Sequence, residues 1–579
     1  RAIKGEAVRM SADLIRWTGG PGSGKTHQLL EMVRGEVEDG RTLDDMILMT
    51  FSRSQAADLA DRLARSVFPG EDRKDILRRC ATVDGMTLRA VRAAGLISDS
   101  PDQIIVPTGE GAKKAIPVYR EFMQAHGIPY TPGAYAPDDG DPVARAKLPA
   151  GNQILEINAY LSATMRPAED WQYAAAALGL PFNGAAWGIT DLLPAWQEFK
   201  AAKGVFEHAD YVRLAVTDQV EPQAPIIFVD EYQDMSPLQD ALVRQWIDQA
   251  DRVYVAGDPD QSIYGFRGCS PDLFLSLPAE DRGAHNGNRP ISRRCAMRIM
   301  AAAERILGRP ANVAPNSRPG RYGREVYTHN PGALPALIED AVNAYAGGPV
   351  FILSRFRRHV SKIMRDLAAA GIPCTRIRAD GGPWGSVRIG RHKDTLEWET
   401  VNVWQLTRAV RRYATGGDIA PMPYEEAEAL ILATLPPARR QLALTDLKAK
   451  IRRTPPIRVG DVARWIPLPP GDRRILTLLN LRPALVEQIQ ACISREDRRG
   501  TVIGPEAVRV DTIHASKGLE APAVLLHTGY LSGLVTGLAD PERMAEERRV
   551  YFVGATRASH ALILFDYIAP PWPGFGRPT

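Results

Sequence analysis

Eight consecutive residues near the start of the chain, Gly19-Gly20-Pro21-Gly22-Ser23-Gly24-Lys25-Thr26, have the spacing GxxxxGKT. They follow the apolar run Leu14 to Thr18 and open an amphipathic stretch, so the glycines fall where a strand turns into a helix. In that setting backbone N–H groups close around a phosphate and the helix N-terminus adds positive potential. The Lys25 ammonium then reaches the β and γ oxygens, and the Thr26 hydroxyl can hold Mg²⁺. A second constellation closes the run IIFVD: the adjacent acids Asp230 and Glu231. Alone, an Asp–Glu pair after a strand is usually a solvated turn. Beside a phosphate loop, one carboxylate can share the Mg²⁺ of a seated nucleotide while its neighbour polarises the attacking water. The two constellations together predict NTP hydrolysis, with Thr26 and Asp230 as Mg²⁺ ligands.

Such groups need a scaffold that brings strand ends together. The runs LIRWT, MILMTF, IIFVD and VYVAGD, beginning at Leu14, Met46, Ile226 and Val253, are short, apolar and bounded by Gly or Pro. Runs of this kind suit strands buried on both faces of a parallel sheet. Between them, Ala56 to Val67 puts Ala56, Leu59, Ala60 and Leu63 on one helical stripe. A second set, PVFILS, RVDTIH, PAVLLH and ALILFD, begins at Pro349, Arg509, Pro522 and Ala561. The fold class expected is α/β, with two parallel-sheet domains. Each is interrupted by a stretch without the strand–helix rhythm, at about 95 to 205 and about 385 to 500. The first insertion reads as mostly helical. The second holds 20 Lys and Arg against 13 Asp and Glu, in a chain whose net charge is only +4. That local excess suits either nucleic-acid contact or an ordinary solvated helical surface.

Composition narrows the class further. With 579 residues, 45% hydrophobic and 24% charged, the chain has material for several globular cores and is neither disordered nor fibrous. Cys80, Cys269, Cys295, Cys374 and Cys492 show no CxxC spacing, which argues against a disulfide framework, a zinc site or an iron–sulfur cluster. No apolar run is long enough to span a bilayer, and the first residues carry charge where a signal peptide would be apolar. The expected setting is cytoplasmic, without membrane contact.

Five further strings complete an ordered series: TFSRSQAADLADRL from Thr50, GDPDQSIYGFRG from Gly257, SRRCAMRIM from Ser292, DTIHASKGLEAPAV from Asp511 and EERRVYFVGATRA from Glu546. With GGPGSGKT and DEYQD, they closely resemble the superfamily 1 DNA helicases of the UvrD/Rep/PcrA type. The resemblance covers both α/β halves, while the insertions match the family only in position and size. It implies two RecA-like P-loop NTPase domains, each carrying an inserted subdomain. Residues 1–95 and 205–295 would form the first motor domain, with 96–204 inserted. Residues 296–384 and 501–579 would form the second, with the basic segment 385–500 inserted.

The resemblance also assigns roles. ATP lies between the motor domains, and arginines of the second, matched by Arg294 and Arg557, reach the γ-phosphate; the plainer alternative for each is a salt-bridging surface arginine. Gln261 matches the glutamine that senses the γ-phosphate, and Glu520 the acid near the ribose. Phe51, Tyr264 and Phe266 match rings that stack on DNA bases, although each would also serve as ordinary core packing. Arg267 matches the residue coupling the two sites, and His514 and Lys517 a motif joining strand binding to the ATP cleft. The implied activity is an ATP-dependent helicase or translocase moving 3′ to 5′ on single-stranded DNA and opening duplex at single/double-strand junctions, in repair, recombination or replication. A nucleotide-hydrolysing DNA switch that does not unwind is the alternative. The chain would act as a monomer or weak dimer, with a repair, replication or nuclease protein as partner; any nuclease is expected to be a separate protein, since only a short tail follows Arg557.

Departures from the family pattern are informative. No Gln precedes Leu14 where relatives read adenine, His27 replaces a common Arg after the GKT, and Arg293 replaces the aromatic that stacks on the base of ATP. A guanidinium plane stacks on a base less selectively, so weaker discrimination among NTPs is expected. In ATVDGMTL, Asp84 stands where the family usually has His, which predicts one lost DNA contact.

Overall fold

In the computed structural model the described residues are 13–106, 112–134, 141–282, 285–286, 289–290, 292–310, 323–345, 347–377, 382–391, 398–453 and 456–573. The segment before Leu14 in which relatives carry an adenine-reading Gln falls almost wholly outside them. The chain divides into two compact units, Arg1–Glu325 with Tyr530–His560 and Trp572–Thr579, and Val326–Gly529 with Ala561–Pro571.

The first unit is built on a six-stranded sheet. Its strands are β1 (Asp13–Thr18), β2 (Met46–Thr50), β3 (Cys80–Thr82), β4 (Ile226–Val229), β5 (Arg252–Gly257) and β6 (Glu280–Asp281), in the order β3-β2-β4-β5-β1-β6, and every neighbouring pair is parallel. Alternate residues feed two cores. Ile47, Met49, Ile227, Val229, Val253 and Val255 face one layer of helices, and Met46, Leu48, Ile226, Phe228, Tyr254 and Ala256 the other. Burial on both faces is why these strands read as unbroken apolar runs. Helix Arg53–Ser66 turns Ala56, Leu59, Ala60 and Leu63 inward, and its start is fixed by a capping box between Ser52 and Gln55.

Register sets the site. Thr18 pairs with Gly257, and Gly19 N donates to Gly257 O at 3.2 Å. On the other side, Asp230 N donates to Met49 O at 2.8 Å. The residues leaving the C-terminal ends of β1, β2, β4 and β5 therefore lie along one crest, where open parallel sheets bind ligands. The first insertion belongs to this unit. Its helices Ala112–Ala125, Ala150–Ala163, Trp171–Leu178 and Ile189–Lys203 close on their own apolar core around Trp196, Tyr119 and Phe122.

The second unit has a five-stranded sheet in the order Val508–Thr512, Val350–Ser354, Ala521–His527, Ala558–Phe565, Arg324–Thr328. Its second strand, Val350–Ser354, is parallel to both neighbours. Its insertion begins with an antiparallel hairpin, Ser386–Arg391 with Trp398–Asn402, and continues as helices whose core is continuous with that of the sheet. Much of the insertion's positive charge is neutralised internally: Arg408 and Arg411 meet the fully buried Glu496, Arg412 meets Glu426, Arg440 meets Glu399 and Arg464 meets Asp446.

Motor-domain boundaries drawn from motif order differ from the packing at three places, residues 296–325 and 572–579 among them. Residues 530–560, assigned by sequence to the second motor domain, cluster with the first unit, because helix Pro541–Ala555 packs on helix Met297–Ile306 and on the turn Pro259–Gln261.

Candidate functional site

The phosphate loop leaves β1 and enters the helix Lys25–Glu38 through Gly24, whose φ of 98° lies in the left-handed region. Gly22 is also left-handed, at φ 70°, and a Cβ there would lie 2.5 Å from Arg294 Cβ. Lys25 Nζ donates to Gly19 O at 2.7 Å, holding the loop closed around its own carbonyls. Ser23 Oγ is buried with no hydrogen-bond partner, and a Cβ on Gly19 would come within 2.4 Å of it. This small, donor-rich cradle with an unsatisfied hydroxyl suits a phosphate oxygen. Pro21 is buried in the loop, while His27 points outward along the helix, its Nδ1 3.8 Å from Glu31.

Thr26 Oγ1 donates to Asp230 Oδ2 at 2.8 Å. Two hard oxygen donors at the mouth of the loop match the preference of Mg²⁺ for one or two protein oxygens completed by phosphate and water. Asp230 is 8% exposed, and burial, followed by the neighbouring Glu231 charge, pushes its pKa up to about 6. A cation would relieve that cost by favouring the ionised form. Glu231 has φ 58°, a conformation rare outside glycine and characteristic of functional sites. Its carboxylate accepts from Gln233 Nε2 at 2.5 Å, and Gln233 Oε1 accepts from Asp258 N at 2.9 Å. Gln233 thus locks the end of β4 to the end of β5.

The arginines converge on the same crest. Arg293 N donates to Gly22 O at 2.8 Å, its exposed guanidinium reaching over the N-terminus of the helix at Gly24. Arg557 is 1% exposed. Its Nε donates to Val553 O at 2.9 Å and its Nη2 to Gln261 Oε1 at 2.8 Å, while Gln261 Nε2 donates to Asp258 Oδ2 at 2.5 Å. Burial, then the like charge of Arg294, pushes Arg557 down to about 10, so it stays cationic at neutral pH. Arg294, inside residues 205–295, stands in the first unit with the phosphate loop, and so does Arg557, although expected from the second motor domain. The physical reason is the packing of helix Pro541–Ala555 described above.

Eight residues or fewer past Asp258 the same loop becomes an aromatic platform. Phe51 and Tyr264 stack with centroids 4.7 Å apart and planes 24° apart, and Phe266 meets Tyr264 edge-on at 5.9 Å. The Arg267 guanidinium lies 5.4 to 5.8 Å from all three ring centroids. Phe51, Phe266 and Arg267 line a cavity of about 410 Å³ whose opposite wall is the inserted helix Ala150–Ala163. Phe266 also packs against the insertion core.

Matches to known families agree with this geometry. Residues 197–280 match the UvrD/REP helicase N-terminal domain, and residues 507–565 match the UvrD-like helicase C-terminal domain. By both matches the chain carries UvrD-type helicase domains, one in each half. Among curated relatives, the ATP-dependent DNA helicase UvrD2 of Mycobacterium tuberculosis (strain ATCC 25618 / H37Rv) is 26% identical over 371 residues, covering 60% of this chain and 48% of that protein. The ATP-dependent DNA helicase PcrA of Bacillus subtilis (strain 168) is 23% identical over 415 residues, covering 58% and 54%. The PcrA of Leuconostoc citreum is 23% identical over 642 residues, covering 96% and 80%. The chain spans about half the length of the first two.

Three of the residues singled out by this UvrD-type pattern lie in the second unit. His514 and Lys517 are buried just past strand Val508–Thr512, and Glu520 is exposed after the left-handed Gly518. Other contributors carried no sequence signal. Gln233 and Asp258 are buried polar links within strings whose roles were given to their neighbours, and Arg309 clamps Asp260 with two bonds of 2.5 and 2.7 Å. Asp84 is a further case. Gln239 donates to it at 2.8 Å, and His208 Nδ1 lies 3.4 Å from its Oδ2. Burial raises the Asp84 pKa, but the bonds from His208 and Gln239 and the Arg267 charge together hold it below its usual value. An imidazole absent from position 84 is therefore present beside it, supplied by the start of helix His208–Thr217.

Proposed function

We propose that this chain is the motor core of an ATP- and Mg²⁺-dependent DNA helicase or translocase that moves 3′ to 5′ on single-stranded DNA and opens duplex in repair, recombination or replication. One observation carries the reading: the single loop after β5 carries both Asp258 and Gln261, hydrogen-bonded in line with Arg557, and Tyr264 and Phe266, which stack with Phe51 from the end of β2. A hydrolysis site and a sequence-tolerant base platform on one short segment can exchange force.

Thr26 and Asp230 would hold Mg²⁺, which when bound shields phosphate charge and orients the γ-phosphoryl group. Lys25 and the loop amides bind the β and γ oxygens. Glu231, fixed by Gln233, is placed to orient the attacking water and take up its proton. Arg557 and Arg294 stabilise negative charge that grows on the transferred group. Arg293, in place of an aromatic ring, supports relaxed choice among NTPs. On the DNA side, the cavity beside Phe51 and Phe266 has room for a nucleobase.

Strand displacement from partial duplexes bearing a 3′ or a 5′ single-stranded tail, with ATP and Mg²⁺, tests this reading against a Lys25→Ala control. Displacement of the 3′-tailed substrate alone, lost in the control, is the expected result. Hydrolysis on DNA with neither duplex opened would instead favour a nucleotide-driven DNA switch, a reading consistent with the internal neutralisation of the basic insertion.

A further inference from the structure

Within the first unit, helix Pro541–Ala555 grips the loop after β5 at three points in order. Arg557, just beyond the helix, holds Gln261. Arg549 Nε donates to the Ser262 carbonyl at 2.9 Å. One turn earlier, the Glu546 carboxylate lies flat against Gly265, where a Cβ would come 2.4 Å from Glu546 Oε1 and 2.8 Å from Cδ. Gly265 is not among the glycines with positive φ, so its backbone does not call for glycine; the space taken by Glu546 does. Gly265 sits between Tyr264 and Phe266, the rings of the platform. Ser262 in turn donates to Gln233 O at 3.0 Å, which ties the same point to Glu231.

We infer that Arg549 and Glu546 are positioning residues that transmit base stacking at Tyr264 and Phe266 to Arg557. The inference rests on the DNA-motor reading above. A helix is stiff along its axis, and Arg557 is fastened to its last turn through Val553 O at 2.9 Å. A base entering the platform must shift the loop at Gly265 or Ser262. That shift is felt by Glu546 and Arg549, and the helix carries it to the guanidinium at Gln261. Neither residue touches the phosphate loop, so the basal reaction does not depend on them. Coupling through such packed elements is worth about 3- to 30-fold in a measured equilibrium or rate.

The test measures steady-state ATP hydrolysis by the full chain with and without saturating oligo-dT, and oligo-dT affinity by fluorescence anisotropy. In Arg549→Ala, basal hydrolysis and DNA affinity stay at wild-type levels while the stimulation ratio falls about 3- to 30-fold. Arg549→Lys, which can still reach the Ser262 carbonyl, recovers part of it. Gly265→Ala displaces Glu546 from the loop side and lowers the same ratio independently. Undiminished stimulation in both Arg549→Ala and Gly265→Ala, or basal and stimulated rates falling in equal proportion, overturns the inference. A wild-type chain that DNA does not stimulate overturns the motor reading and the coupling with it. A stimulated wild type with equally stimulated variants overturns the coupling alone.

Discussion

Arg557 and Gln261, 296 residues apart in sequence, share a 2.8 Å hydrogen bond in the buried centre of the first unit. On the reading proposed above, the bond fixes the cationic fork for a transferred phosphoryl group, the kind of preorganisation that phosphoryl transfer rewards. Arg557→Lys keeps the charge but loses the fork. We predict that it lowers kcat for ATP hydrolysis by about 10³-fold or more, with little change in nucleotide affinity. Single-turnover hydrolysis beside equilibrium nucleotide binding checks this; a parallel loss of affinity would point to a ground-state role.

The Phe51–Tyr264 stack predicts a loss confined to single strands. Each ring offers a face to any base, so Phe51→Ala should weaken oligo-dT binding by about 1 to 3 kcal/mol, with a similar effect on oligo-dA and no effect on basal hydrolysis. Anisotropy titrations with both oligonucleotides make the comparison. A loss restricted to one base would mean that the ring sets specificity rather than serving as a platform.

Lys200 is 2% exposed and bridges Glu207 and Asp210 at 2.7 and 2.5 Å. Glu207 also accepts from Tyr119 and Trp196, so the lysine joins the insertion core to the start of helix His208–Thr217. Lys200→Met strands two half-buried carboxylates and should cost about 3 kcal/mol. Burial already raises the Asp210 pKa, so that carboxylate takes a proton readily once the lysine is gone. The loss should therefore shrink as pH falls toward 5, which urea unfolding at two pH values would reveal.

His527, fully buried in the second unit, predicts acid sensitivity there. Burial, then the neighbouring His359, pushes its pKa down to about 3, while in the unfolded chain it is near the usual value of about 6.5. The folded state then binds fewer protons than the unfolded state between those values, so stability falls as pH drops below about 6.5. Between pH 7 and 5 this group should cost about 2 kcal/mol. His527→Phe should flatten the acid limb by that amount in denaturant midpoints; an unchanged pH dependence would assign the limb to other groups.

Sequence alone settled whatever depends on local chemistry. The GxxxxGKT spacing, the acids ending IIFVD and the apolar runs were legible because backbone closure around phosphate and two-sided strand burial each demand particular residues at fixed short spacings. The stripe Ala56, Leu59, Ala60 and Leu63 was legible for the same reason, and it is the buried face of its helix. What only tertiary structure decided are the pairings across hundreds of residues. No local pattern says that residues 530–560 pack with the first unit, that His208 stands beside Asp84, or that Gln233 joins Glu231 to Asp258. The positive charge counted in the second insertion likewise met buried acids such as Glu496 that the sequence places far from its arginines. Those contacts arise when strand register and helix packing bring distant residues within a few ångströms, and register is fixed by the whole buried surface rather than by any one segment.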